Sequence, residues 1–141
     1  MRDGHEELVF NRASINSSIS PDGARVALTE KINDQNSLNL VSLPEGNVIR
    51  TYKLAQPKEN VICIVWSRDG KYLAYVLFDD TGSHTSIWIQ PLETEMPRKI
   101  TELSEQEVFE SSGLALSPDG KTVAASQGTW RHDAVLIRGL R

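Results

Sequence analysis

Apolar residues in this chain come in short runs separated by polar, turn-forming clusters. Val61-Ile62-Cys63-Ile64-Val65-Trp66 is near-continuous, Tyr72-Leu73-Ala74-Tyr75-Val76-Leu77-Phe78 is apolar throughout, and Ser86–Pro91 alternates around Trp88. Runs of this length, apolar or alternating with period two and bounded by Gly, Pro, Asp and Ser, predict β-strands. Helix is poorly supported. The one stretch rich in helix formers, Thr101–Glu110, has no apolar stripe and is expected to be a loop.

The polar clusters repeat. Ile19-Ser20-Pro21-Asp22-Gly23-Ala24-Arg25-Val26-Ala27, Trp66-Ser67-Arg68-Asp69-Gly70-Lys71-Tyr72-Leu73-Ala74 and Leu116-Ser117-Pro118-Asp119-Gly120-Lys121-Thr122-Val123-Ala124 align without gaps. From Asp22 to Asp69 is 47 positions, and from Asp69 to Asp119 is 50. That period suits a four-stranded sheet with generous loops. Each cluster is turn chemistry: Pro presets φ at the second position, Asp suits the third, Gly takes the left-handed conformation, and Ser bonds back to the turn's own backbone. Arg68 replaces Pro in the middle copy, at a position that tolerates most residues.

The strands predicted around these turns are Ser14–Ile19, Arg25–Glu30, Ser37–Ser42 and Val48–Tyr52 in unit one. Unit two gives Val61–Trp66, Lys71–Phe78, Ser86–Pro91 and Arg98–Thr101, and unit three gives Gly113–Leu116, Thr122–Ser126 and Ala134–Arg138. The expected fold is all-β: a β-propeller of three four-stranded blades, at residues 12–54, 60–103 and 108–141 of a single segment, 1–141. Residues 5–11 supply the outer strand of a blade split between the termini, a device that removes exposed sheet edges.

Composition narrows the partners. The chain has 141 residues and a formal charge of −4, its basic residues scattered, so neither nucleic acid nor membrane insertion is expected, and no apolar run reaches membrane-spanning length. Cys63, the only cysteine, sits inside an apolar run and reads as a small buried hydrophobe. With no export-type apolar stretch in Met1–Glu7, a cytoplasmic location is expected, or a periplasmic one if a signal lies upstream.

On those repeats the chain resembles the TolB-type propeller family, a relative of WD-repeat proteins, whose unit ends a strand with an aromatic or apolar residue plus Ser-Pro-Asp-Gly and continues Lys-x-hydrophobic-Ala. Trp66–Ala74 matches it best. The segment Gly128–Arg138 is also similar to the close of propellers attached to bacterial serine/threonine kinases and winged-helix regulators. The resemblance implies a non-enzymatic protein-interaction or sensory module with a protein partner. TolB-type rings usually have six blades, so it also implies either half of a six-bladed ring, closed as a homodimer by exchange of Glu7–Asn11, or a fragment of a longer ring. The alternative is the propeller of a prolyl-oligopeptidase-like hydrolase, gating a separate catalytic domain.

No cofactor, metal or catalytic residue is expected. Asp22, Asp69 and Asp119 are accounted for by their turns, and His5, His84 and His132 lack a second ligand at metal spacing. There is neither a Gly-x-Ser-x-Gly elbow nor a phosphate-cradling glycine loop. Binding is expected where polar connections share one face: Lys31–Asn36, Asp79–His84, Thr129–Asp133, Ala55–Glu59 and Glu102–Glu107. Within these, Trp130, Arg131 and His132 are the most interaction-prone triplet, with Asp79, Asp80 and His84 beside them. The competing reading of Trp130 is that it packs against the blade edge.

Overall fold

The structure, a computed structural model, describes residues 14–79, 81, 84–94, 96–103 and 108–128. Ten strands run through them. Blade one holds β1 (Ser14–Ile19), β2 (Arg25–Ile32), β3 (Gln35–Ser42) and β4 (Val48–Lys53); blade two holds β5 (Asn60–Trp66), β6 (Tyr72–Phe78), β7 (Thr85–Pro91) and β8 (Arg98–Leu103). Blade three is described by β9 (Val108–Leu116) and β10 (Val123–Gly128). Every pairing is antiparallel and every sheet follows chain order, β1-β2-β3-β4 and β5-β6-β7-β8, with β9 beside β10. The sheets meet through their first strands, β1 against β5 and β5 against β9. This is the radial stacking of propeller blades.

Blade two shows why its middle strand is apolar at every position. Leu73, Tyr75 and Leu77 point toward blade one and join Ala27, Leu38, Leu40, Tyr52 and Ile64, while Ala74 and Val76 point toward blade three and join Ile87, Ile89 and Leu114. A strand covered on both faces loses the alternation that a half-buried strand displays. Full burial of a side chain such as Leu73 or Tyr75 contributes about 1.5–3 kcal/mol, which makes the first seam, with its aromatic residues, the principal core. The outer strand β4 is largely exposed, as its polar sequence predicts.

All three repeat turns close identically. The Gly23, Gly70 and Gly120 amides donate to the carbonyls of Ser20, Ser67 and Ser117 at 2.9, 3.0 and 3.0 Å, each glycine with φ between +65° and +71°. The Ser hydroxyl donates to the Asp carboxylate at 2.5, 2.6 and 2.7 Å and accepts the amide of Arg25, Tyr72 or Thr122 at 2.9 Å. Arg68 leaves its turn unchanged, as expected.

The second and third turns each also receive a side chain from the preceding blade. Arg25 lies 5.1 Å over the Trp66 ring and donates to the Gly70 carbonyl at 3.3 Å. Tyr72, at the same repeat position, lies so close to Gly120 that a Cβ there would fall 2.5 Å from its ring. The glycine in this motif thus serves left-handed φ at all three turns and close approach at two of them.

Two expectations need correction. Lys31–Asn36 is not a long polar loop: β2 and β3 pair as far as Ile32 and Gln35, and Asn33 and Asp34 turn the chain with φ of 50° and 63°. Two successive left-handed residues match the twist of a tight hairpin, and Asn and Asp tolerate that region. Nor is all of Thr101–Glu110 loop, because β8 extends to Leu103 and β9 begins at Val108, five residues before the expected Gly113. Backbone pairing of Val108 with Gly128 and Phe109 with Gln127 beyond a bulge carries the ladder outward. The proposed strands 5–11 and Ala134–Arg138 lie outside the described residues.

Candidate functional site

The end of the blades opposite the repeat turns gathers charged residues from two connections and from β8. Asp79, just past β6, closes its own loop: its amide donates to the His84 carbonyl at 3.2 Å, and its carboxylate accepts the His84 amide at 3.3 Å and the Thr81 hydroxyl at 2.8 Å. The loop aims His84 at the start of β7, toward β8, where Nδ1 lies 3.7 Å from the Glu102 carboxylate. Lys99 Nζ meets the other Glu102 oxygen at 2.5 Å while lying 5.9 Å over the Trp88 ring.

Glu59 arrives from the connection between blades one and two. Asn36 pins that connection, its amide donating to the Pro57 carbonyl at 2.6 Å and its side-chain nitrogen to the Glu59 carbonyl at 2.7 Å. Burial raises the Glu59 carboxyl above the ordinary carboxylate range, and Asp79 and Glu102 push it further the same way against Lys99 and His84. Glu102, in contrast, is held low by the Lys99 hydrogen bond. The group as a whole is an acidic, partly exposed patch in which one carboxyl is held against its like-charged neighbours.

Of the residues singled out from sequence, Asp79 and His84 come together here; Asp80, Trp130, Arg131 and His132 lie outside the described residues. Glu59, Lys99 and Glu102 were not individually legible, although the segments Ala55–Glu59 and Glu102–Glu107 were placed on this face. The three turn aspartates stay in their own turns, each carboxyl lowered first by its Ser hydroxyl. Among the described residues no group of three His, Cys, Asp or Glu could hold a metal. Cys63 is partly buried at the second seam, and burial raises its thiol. Among the described residues no helix is long and apolar enough to cross a membrane.

A groove of about 610 Å3 runs between the outer parts of blades one and two, with Tyr52, Leu54, Trp88, Met96 and Pro97 on its walls. The Tyr52 hydroxyl and Arg50 guanidinium both donate to the Leu92 carbonyl at 2.8 Å, fixing the spacing of the blades there.

No protein-family model matches the sequence, and no curated protein does. Solved structures do. Hydrazine synthase from Kuenenia stuttgartiensis is similar with a TM-score of 0.59 and 18% identity over 82% of this chain and 32% of its own. TolB from Acinetobacter baumannii is similar at 0.55 and 19%, over 84% and 34%. An uncharacterised protein from Listeria monocytogenes is similar at 0.53 and 16%, over 75% and 32%. The chain spans about one third of the length of each. With its radial meander sheets and its likeness to the TolB propeller, the chain has an all-β, β-propeller fold.

Proposed function

We propose that this chain is a non-enzymatic protein-interaction or sensory module whose contact surface is the loop end of the blades. The observation that carries it is the convergence of Glu59, Asp79, His84, Lys99 and Glu102, from two connections and strand β8, onto one patch. Rigid sheets hold the patch, and its charges are incompletely matched by one another, so a partner offering complementary cations relieves like-charge repulsion on docking. Fold alone does not assign a function, and this reading rests on the patch.

The test is photo-crosslinking in the producing cell, with the reactive residue placed at position 84, at position 102, and at exposed position 45 on the opposite end. The same protein adduct from 84 and 102, absent from 45, is expected. Adducts from all three positions alike, or from none, would remove the loop end as the contact surface.

A further inference from the structure

We infer that the groove between blades two and three, at the end of the repeat turns, is a docking site for an acidic peptide segment of a partner protein. This takes the interaction-module reading as its premise but uses a different surface, so each can fail without the other.

The groove has a volume of about 530 Å3 and brings together Lys71 from the second repeat turn, Arg98 from the start of β8 and Lys121 from the third repeat turn. Their grouping comes from the repeat: the residue after the turn glycine is Lys in units two and three but Ala24 in unit one. Two adjacent Lys-bearing turns therefore flank only this one of the two described seams. Arg98 is held in place by donating to the Gly120 carbonyl at 3.1 Å. Among the described residues no carboxylate lies within ion-pair distance of any of the three cations.

Two acids share the groove, and they do not cancel it. The Asp119 carboxylate is already engaged by the Ser117 hydroxyl at 2.7 Å and the Lys121 amide at 3.1 Å, and Lys121's charge is a lesser cause of its lowered pKa. Glu93 stands in the β7–β8 connection. Among the described lining residues three cations stand against two carboxylates, on a chain whose net charge is −4. An anion is therefore drawn to this groove and repelled by much of the remaining surface.

The walls between the cations are Tyr72, Pro91 and Met96. Met96 is 78% exposed, and it also lines the groove with Trp88 and Tyr52 on the other side of the β7–β8 connection. Apolar walls with cations at their edges suit glutamate and aspartate side chains, whose methylenes lie on the wall while Arg98 takes a carboxylate through its fork and each Lys supplies a point charge. Three cations match a short acidic stretch; the charge density of a nucleic acid calls for a longer basic track.

The experiment is fluorescence anisotropy of fluorescein-labelled hexaglutamate against the whole chain. Binding is expected, weakening as salt rises, with affinity falling at least about tenfold in Lys71→Glu/Lys121→Glu at unchanged melting temperature. The neutral variants Lys71→Gln and Lys121→Gln should each weaken it by a smaller factor and keep the test open if the double reversal fails to fold. Lys31→Glu, on the loop end of blade one, should leave affinity unchanged, and hexaglutamine should not bind. Equal affinity in the wild type and the groove variants, or no binding by the folded wild type, overturns the proposal. So does an oligo-dT probe that binds the same groove more tightly than hexaglutamate, which assigns it to nucleic acid. If the groove fails while crosslinks at positions 84 and 102 persist, the interaction-module reading stands without it.

Discussion

The two ends of the blades treat carboxylates in opposite ways. At the turn end each Asp has its own donors within two residues, the Ser hydroxyl before it and an amide after it, and all three carboxyls are held low. At the loop end Glu59 is raised by burial and by Asp79 and Glu102, which reach it from the β6–β7 connection and from β8. The turn end thus solves a geometric problem within six residues, three times over. The loop end instead brings carboxylates from separate segments close enough to act on one another, and this supports the contact surface proposed above.

The largest effects are expected at the turn glycines, which share a conformation but not an environment. Gly120→Ala combines the cost of a left-handed L-residue with a Cβ at 2.5 Å from the Tyr72 ring, and should lower unfolding free energy by about 2–4 kcal/mol. Gly23→Ala has no atom within 4 Å of its Cβ, leaving the conformational term of about 1 kcal/mol. Gly70→Ala should fall between them, since Arg25 at 3.3 Å can swing aside. Denaturant unfolding of the three measures this order; equal losses would show that blade-to-blade approach contributes nothing.

The next effect is smaller and isolates the turn's polar set. Ser67 is completely buried, and its hydroxyl serves the Asp69 carboxylate and the Tyr72 amide together. Ser67→Ala should cost about 1–3 kcal/mol by denaturant unfolding, because a part-buried amide and the Asp69 carboxylate both lose their side-chain partner. A neutral result would mean that the Ser67–Tyr72 backbone pair alone holds this turn.

At the loop end a substitution should go the other way. Asp34 holds φ of 63° and makes only an exposed ion pair with Lys31 at 3.3 Å. Asp34→Gly should therefore raise stability by a few tenths to about 1 kcal/mol. Loss of stability in a melting curve would indicate that the ion pair matters more than the backbone.

The smallest expected effect is in pH dependence, and its sign differs between the ends. Asp22, Asp69 and Asp119 have folded pKa values below the ordinary 3.8, so the stability they provide is present above that value and is lost as pH falls through the folded ones. Glu59 has a folded pKa above its ordinary 4.5, so its protonation in the folded state stabilises the protein as pH falls through that raised value toward 4.5. Glu59→Gln should accordingly melt higher than wild type at neutral pH, with the difference shrinking across that window. An unchanged melting temperature at neutral pH would mean that the loop-end charges do not strain one another.

Legibility followed the range of the interactions. The repeat turn was readable down to the role of Ser67 because all its partners lie between Ser67 and Tyr72. The Asn33-Asp34 turn is also written locally, in two neighbours tolerant of positive φ, but a polar loop carries the same residue types, and only the pairing of Ile32 with Gln35 distinguishes the two. The early start of β9 left no comparable trace, since its pairing depends on residues around Gly128 on the next strand.

By itself, the sequence determined strand, turn and repeat, and through them the propeller fold, because hydrogen bonds within a turn and alternation within a strand are written in neighbouring residues. Tertiary structure alone decided that Arg25 and Tyr72 would cover the next blade's glycine, that Glu59 would meet Asp79 and Glu102, and that Lys71, Arg98 and Lys121 would share a groove. Those meetings depend on how far each blade rotates and slides against its neighbour. That displacement is set by the summed packing of Leu73, Tyr75, Ile87 and their surroundings rather than by any one stretch of chain.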